Sequence, residues 1–473
     1  MDKQALREAA EGWLEAHAEE MTVELQGFAR IRSVSRADLA APGAPFGPEC
    51  RTMLDYALKR AREMGFETED HDGYCGSVIL GDKNNAIGIF AHLDVVPEGD
   101  SWLYPPYAAT RVGDFLIGRG VSDNKSAAVM ALFVMRMYKE LGVQLRHGIR
   151  LVLGCSEETG MQDMAYFREH VPIPAVSLVP DSSFPCNYAQ KGSLHGRMRI
   201  AAGTQIAEFT GGEVDNMVPP HAAALLRLPT AAVRAALGRL EADLQVEAEG
   251  DLTRVRARGV AAHAAHPEGG RSALYLLADA LAKTGLLTGQ SQRAMESIAG
   301  MCSDCHGANA GIDWEDPDSG KTTMNIGVAR MDGDAIRLHL DCRLSITADR
   351  EANQAAFEAY ARRLGFEPFD VGTAPPVNIP RDDPRIQTLQ AVYTEVTGDE
   401  RPPYTMGGGT YSKKIPDAIT FGLGNPTAQH RPEGLPEGHG GAHAPDEFRY
   451  LPDLLRAAKI YAAALPALDK VVE

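Results

Sequence analysis

The sequence predicts an α/β fold: a mostly parallel sheet with flanking helices, interrupted by an inserted α+β domain. Three observations carry this. The first 185 residues hold three continuous apolar runs, 86–96, 149–155 and 175–179, with helical spacing between them. Unbroken rather than alternating runs are expected of strands buried on both faces. From about Asn187 the strands alternate instead, and after the Pro-rich stretch 372–384 the pattern of buried strand and helix returns.

Taken in order, residues near the start read as an amphipathic helix, with no apolar block behind a basic start of the kind that marks a secretory signal. Between the first two runs, Ala127, Met130, Ala131, Val134 and Tyr138 recur at helical spacing, predicting a helix over 124–141. A shorter helix follows at 163–170. Strand, helix, strand, helix, strand implies a parallel sheet. In the insertion, alternating strands at 194–200 and 335–346 accompany helices at 231–243, 272–283 and 350–365, and Asp332-Gly333-Asp334 fits a hairpin turn. A helix at 385–397, a buried strand at 418–423 and a last helix at 452–464 close the chain. The expected division is 1–186 with 384–473 for the sheet domain and 187–383 for the insertion.

Composition narrows the partners. The 473 residues carry 47 Lys and Arg against 64 Asp and Glu, a net charge of −17, with 44% hydrophobic residues. This surplus of acid opposes binding to a phosphate backbone, which rests on Lys and Arg, so no nucleic-acid partner is expected. No stretch approaches the roughly 18 uninterrupted apolar residues of a membrane span, so no membrane partner is expected either. Seven cysteines, an odd number, fit reduced thiols and a cytoplasmic location.

Chemistry-bearing residues collect at the carboxyl ends of the apolar runs. The first ends Phe90-Ala91-His92-Leu93-Asp94, the second leads into Ser156-Glu157-Glu158-Thr159-Gly160, and the third ends Val179-Pro180-Asp181. Asp123 precedes the long helix; in isolation it reads as a helix cap. Ligands of open parallel sheets bind beyond these strand ends. Imidazole with carboxylates suits zinc or manganese better than calcium. On extended backbone His92 and Asp94 share a face, so the Asp94 carboxylate is placed to fix the imidazole tautomer. Glu157 and Glu158, being adjacent, are expected on extended backbone to point apart and take different roles, one as ligand and one as base.

With these residues in place, the sequence resembles a known family. The segments Ala91-His92-Leu93-Asp94-Val95-Val96-Pro97, Gly118-Arg119-Gly120-Val121-Ser122-Asp123-Asn124-Lys125, Ser156-Glu157-Glu158-Thr159-Gly160 and Gly441-Ala442-His443-Ala444-Pro445-Asp446-Glu447 look like the ordered motifs of the M20 metallopeptidases, nearest the bacterial dipeptidase V and Xaa-His dipeptidase branch. The resemblance implies a zinc-exopeptidase-like catalytic domain with an inserted lid. It further implies two divalent metals, Zn²⁺ with Mn²⁺ or Co²⁺ as alternatives: Asp123 bridging, His92 and Asp181 completing one site, Glu158 and His443 the other. Glu157 would be the general base and Asp94 the residue orienting His92. His443 lies 262 residues after Asp181, as a split sheet domain requires. His439 competes with His443, but the family spacing to Pro445-Asp446-Glu447 selects His443.

The resemblance extends into the insertion. His263, in Gly259-Val260-Ala261-Ala262-His263, matches a lid histidine that stabilises the oxyanion, with His266 as competitor. Asn216 and Arg343 fall where relatives hold the substrate carboxylate, a task suited to a guanidinium fork. Gly408 and Gly409, in Gly407-Gly408-Gly409-Thr410-Tyr411, resemble a loop whose backbone meets substrate. The implied activity is metal-dependent hydrolysis of unblocked dipeptides, Xaa-His or broader, by a monomer. The alternative is deacylation of N-acyl amino acids by the same chemistry, and a more distant one is a binding module without catalysis. Cys302-Ser303-Asp304-Cys305-His306 has the form of a c-type haem attachment site or half a zinc knuckle. Without an export segment or a second Cys pair, chance spacing is the better reading.

Overall fold

In the computed structural model, which describes residues 3–240 and 244–472, the apolar runs become the centre of one sheet. Ala86–His92 is buried at every position. It pairs in parallel with Gly148–Gly154 on one side and Val176–Val179 on the other, and Ile419–Phe421 pairs in parallel with Val176–Val179. The flanks are antiparallel: Cys75–Leu80 and then Glu67–His71 beyond Gly148–Gly154, and Cys186–Gln190 beyond Ile419–Phe421. Ile87, Ile89, Phe90, Leu151 and Leu153 are all fully buried, each contributing on the order of 1.5–3 kcal/mol by leaving water.

The helix expected at 124–141 is Lys125–Glu140, buried along almost its whole length; it packs on Ala86–His92 and on the final helix. That final helix, Leu451–Val471, outlasts the expected stop at 464. Pro466 removes one backbone donor, but Leu465 and Leu468 on either side are fully buried, and their packing carries the helix past it. Gly154 is needed at its strand end, because a Cβ there would stand 1.9 Å from the Tyr411 hydroxyl and 2.4 Å from Asp163 Oδ2.

The chain divides into two compact units. The first holds Met1–Tyr188, Ile379–Tyr404 and Gly409–Glu473; the second holds Ala189–Asn378 with Thr405–Gly408. The second is built on an eight-stranded antiparallel sheet, in the order Leu244–Glu249, Leu252–Arg258, His221–Leu226, Ile206–Gly211, Thr323–Asp332, Ala335–Leu344, Gly192–Ala201 and Glu367–Ala374. Strict alternation of burial along Gly192–Ala201 shows one face dry and one wet. Asp332 pairs with Ala335, so the expected hairpin at 332–334 turns through Gly333 and Asp334. Helices Ala273–Lys283, Gly289–Cys302 and Arg350–Arg363 contribute to its core. The first of these is capped by Ser272, which accepts the Tyr275 N–H. The helix expected over 231–243 is Thr230–Gly238, and residues 241–243 lie outside the described residues. Among the described residues, no helix is long and apolar enough to cross a membrane.

Candidate metal centre

Parallel strands aligned in register deliver their carboxyl ends together, since His92 pairs opposite Gly154. The first unit gathers two groups of donors there: His92, Asp123 and Asp181, and Asp123, Glu158 and His443. Within each group one ligand atom per residue lies within 4.8 Å of the others. Asp123 belongs to both. Its Oδ1 is 3.0 Å from His92 Nε2, its Oδ2 is 3.3 Å from His443 Nε2, and His443 Nε2 is 3.0 Å from Glu158 Oε1. Asp123 does not cap the helix that follows; the N-cap is Asn124, and its side chain makes no capping bond.

Asn124 instead donates from Nδ2 to the Pro180 carbonyl at 2.8 Å and to Asp181 Oδ1 at 3.1 Å, tying that carboxylate to the Asp123 turn. Asp94 departs from the expectation. His92 Nδ1 lies 2.9 Å from the Asp94 backbone carbonyl and 3.5 Å from its carboxylate, so the carbonyl is the closer acceptor. The Asp94 carboxylate accepts the backbone N–H of Glu157 on one oxygen and of Glu158 on the other, both at 3.1 Å. Residues 157–160 form a turn, which corrects the expectation of extended backbone there: a strand would not present two successive N–H groups to one carboxylate.

The electrostatics fit divalent cations. Burial lifts Asp181 to about 7, reinforced by Asp123. Burial, with the charge of Asp181, pushes Glu157 well above the carboxylate range, and burial also raises Glu158. Burial acts against ionising Asp123 as well, but hydrogen bonds to His443 and His92 hold it low. Hydrogen bonds to Asp123 and Glu158 lift His443 to about 10. A set of two imidazoles and four crowded carboxylates is short of positive charge, and its nitrogen and oxygen donors are those that zinc and manganese accept.

Asp163, which sequence reasoning missed, supports the turn from beneath. Its Oδ2 accepts the N–H of Cys155 at 2.7 Å and of Ser156 at 2.8 Å, and it also accepts the Tyr411 hydroxyl. Burial and the nearby Asp94 raise Asp163 to about 6. No sequence signal separated this aspartate from a surface residue of the short helix Gln162–His170.

Asn216, His263, Arg343 and Gly408 belong to the second unit, and Gly409 to the first. The exposed His263 ring accepts the Ala265 N–H on Nδ1 at 3.0 Å, so its neutral form carries the proton on Nε2. Ala264 N–H bonds the Asn216 carbonyl at 2.9 Å, which brings the segments of Asn216 and His263 together. Arg343 pairs with Asp341 at 2.7 Å, and its buried Nε has no acceptor among the described residues. His266 is exposed. His439 Nδ1 bonds the buried Asp446 at 2.6 Å. Cys302 and Cys305 are free thiols. His306 is held by the Thr322 carbonyl at 2.9 Å and by Glu268 at 3.2 Å, and among the described residues this cluster offers no metal-holding group.

A split sheet domain bearing a paired His-carboxylate cluster at its strand ends defines a class of metallohydrolase. Residues 88–467 match peptidase family M20/M25/M40, and the chain belongs to this family; it is a hydrolase acting on peptide bonds. It is 29% identical over 466 residues to a Bacillus subtilis (strain 168) protein named "Putative dipeptidase YtjP", covering 96% of this chain and 98% of that one. A Staphylococcus aureus (strain MRSA252) protein named "Putative dipeptidase SAR1836" is 28% identical over 427 residues, covering 86% of this chain and 90% of that one. Human carnosine dipeptidase 1 shares the fold with a TM-score of 0.58 at 14% identity, covering 98% of this chain and all of that one. The di-peptidase Dug1p of Saccharomyces cerevisiae does so at 0.59 and 13%, over the whole of both chains.

Proposed function

We propose that this peptidase is a dipeptidase acting on unblocked dipeptides and using two divalent metal ions, with zinc the first choice and manganese or cobalt as substitutes. The observation that carries the reading is the sharing of Asp123 between the two donor groups, since a carboxylate with one oxygen toward each suits a bridging ligand. His92 and Asp181 would complete one site, and Glu158 and His443 the other. The ions would supply Lewis acidity, making an attacking water more acidic and drawing charge from the scissile carbonyl.

The protein's own residues do the rest. Glu157, in neither donor group, is left to take the proton of the attacking water and hand it to the leaving amine. Asp94 holds the backbone of Glu157 and Glu158 together, so that base and ligand keep a fixed separation. In the second unit, His263 carries a proton on Nε2 to donate to the oxygen on which charge develops. Arg343, already turned by Asp341, binds the substrate carboxylate with a planar fork, a task shared with Asn216. Gly408 and Gly409 leave backbone open to the substrate. The names of the Bacillus and Staphylococcus relatives support dipeptides over acylated amino acids. An insertion of nearly 200 residues, enough to form its own sheet and core, favours a monomer.

The test is hydrolysis of β-Ala-His and several unblocked dipeptides against N-acetyl and N-succinyl amino acids, with added Zn²⁺ or Mn²⁺ and a chelator control. Release of amino acids from the dipeptides alone, lost on chelation, is the expected result. Cleavage confined to the acylated compounds would move the enzyme to the acylase class.

A further inference from the structure

We propose that Glu447 is the positioning residue of the bridging carboxylate: it sets where Asp123 stands, and so sets the affinity of both metal sites. The inference rests on the two-metal reading above and goes beyond it, because Glu447 belongs to neither donor group.

The Glu447 side chain is fully buried. Its Oε1 accepts the N–H of Ser122 at 2.7 Å and of Asp123 at 2.9 Å; its Oε2 accepts the N–H of Gly120 at 3.0 Å and the Arg119 guanidinium at 2.9 Å. The Glu447 carbonyl also accepts the Gly118 N–H at 2.8 Å, and Arg449 donates to the Ser122 carbonyl at 2.9 Å. One carboxylate therefore pins both ends of the turn 120–123, and the Asp123 side chain has little freedom left. Buried N–H groups held this way are costly to leave unpaired, so the turn follows the carboxylate wherever it sits.

The same residue lies four places after His443. The segment that presents His443 is thereby bonded to the turn that presents Asp123, and His443 Nε2 meets Asp123 Oδ2 at 3.3 Å. Asp446 does for a neighbouring loop what Glu447 does for the turn, accepting the N–H groups of Leu103 and Tyr104 at 2.9 Å. Adjacent buried carboxylates that accept backbone donors from the Asp123 turn and from a neighbouring loop are arranged to hold geometry rather than to react.

Glu447→Gln replaces one oxygen with an amide N–H₂, which must face either the Gly120 N–H and Arg119 or the Ser122 and Asp123 N–H groups. Arg119→Gln removes the ion pair but leaves all three backbone bonds to Glu447, and so isolates the ion pair's structural role. The experiment titrates Zn²⁺ and Mn²⁺ into chelator-stripped full-length protein by calorimetry, with the thermal midpoint of each stripped variant measured alongside. The expected result is two equivalents bound by the wild type, a loss of about 10–100-fold in affinity for Glu447→Gln, as for other residues that orient metal ligands, and wild-type affinity for Arg119→Gln. Should Glu447→Gln not fold with Arg119 left unpaired, the double variant Glu447→Gln with Arg119→Met removes the stranded charge and carries the same expectation. Wild-type affinity in a folded Glu447 variant overturns the inference, as does an equal loss of affinity in Arg119→Gln. A wild type that binds neither ion overturns the two-metal reading instead.

Discussion

Asp163 is buried with its carboxylate beneath the turn that carries Glu157 and Glu158, and its environment raises it from an ordinary 3.8 to about 6. At about 1.4 kcal/mol per tenfold change in proton affinity, ionising it inside the protein costs about 3 kcal/mol more than ionising it in the unfolded chain. The folded protein holds this proton more tightly than the unfolded chain. The contribution to stability is therefore complete below about pH 4 and lost as pH rises through 6. Asp163→Asn removes the titration but keeps one oxygen for the Cys155 and Ser156 N–H groups and the Tyr411 hydroxyl. Its amide N–H₂ then takes the place of the Oδ1 that lies 2.7 Å from the Met164 N–H, a cost that is the same at every pH. The variant should gain on the wild type by about 3 kcal/mol between pH 4 and pH 7, roughly 2 °C of midpoint per kcal/mol for a unit of more than 250 residues. Thermal unfolding of chelator-stripped protein across that range reads the difference directly. Parallel midpoint curves for variant and wild type would refute the reasoning, since they would mean that Asp163 ionises as readily inside as out.

Four further outcomes test the site. Glu157→Gln should lower kcat by about 10²–10⁴-fold while elemental analysis still finds two metals; an unchanged rate would remove Glu157 as the base. Asp94→Asn should disturb both Glu157 and Glu158, lowering kcat and weakening metal binding by about 10–100-fold in calorimetry; a variant that lost only rate would return Asp94 to a smaller role. Arg343→Lys, which cannot make the planar fork, should raise KM about tenfold or more for free dipeptides, at 1.4 kcal/mol per tenfold, and leave dipeptide amides unaffected; equal loss for both would refute a carboxylate contact. Metal removal should lower the thermal midpoint, with a loss of about 2.7 kcal/mol per ion for ions supplied at 100 times Kd. The loss should be greater at pH 8 than at pH 6, because Asp181, lifted to about 7 by burial and Asp123, adds its charge to the cluster across that interval.

The central strands were legible because burial on both faces leaves no room for polar residues, and Ala86–His92 and Gly148–Gly154 are accordingly almost unbroken apolar runs. The flanking strand Glu67–His71 was not. Its sequence, Glu-Thr-Glu-Asp-His, lies half exposed, and only its pairing with Cys75–Leu80 makes it a strand. Gly289–Cys302 was obscured for another reason. Its Ala294, Met295, Ile298 and Met301 are buried at helical spacing, but Gly, Ser and Gln dilute the pattern, and the Cys-x-x-Cys spacing that starts at its last residue is the more conspicuous feature of the segment.

At the site, legibility stopped where residues of the same type divide the labour. His92, Asp123, Glu158, Asp181 and His443 could be picked out because strand ends and family spacing say where donors belong. Asp94, Asp163 and Glu447 are carboxylates too, within a few residues of those donors, yet what they accept is backbone N–H. Two-residue spacing put Asp94 on the face of His92. The strand ends at His92, however, and beyond it the Asp94 carboxylate turns to the Glu157 and Glu158 amides. Such a carboxylate is identified by the peptide groups facing it, which for Asp94 and Glu447 come from segments tens to hundreds of residues away: Glu447 holds Asp123 across 324 positions. Composition and spacing therefore select the atoms able to bind a cation, while the rigidity that lets them bind it together rests on contacts that exist only once the chain has folded.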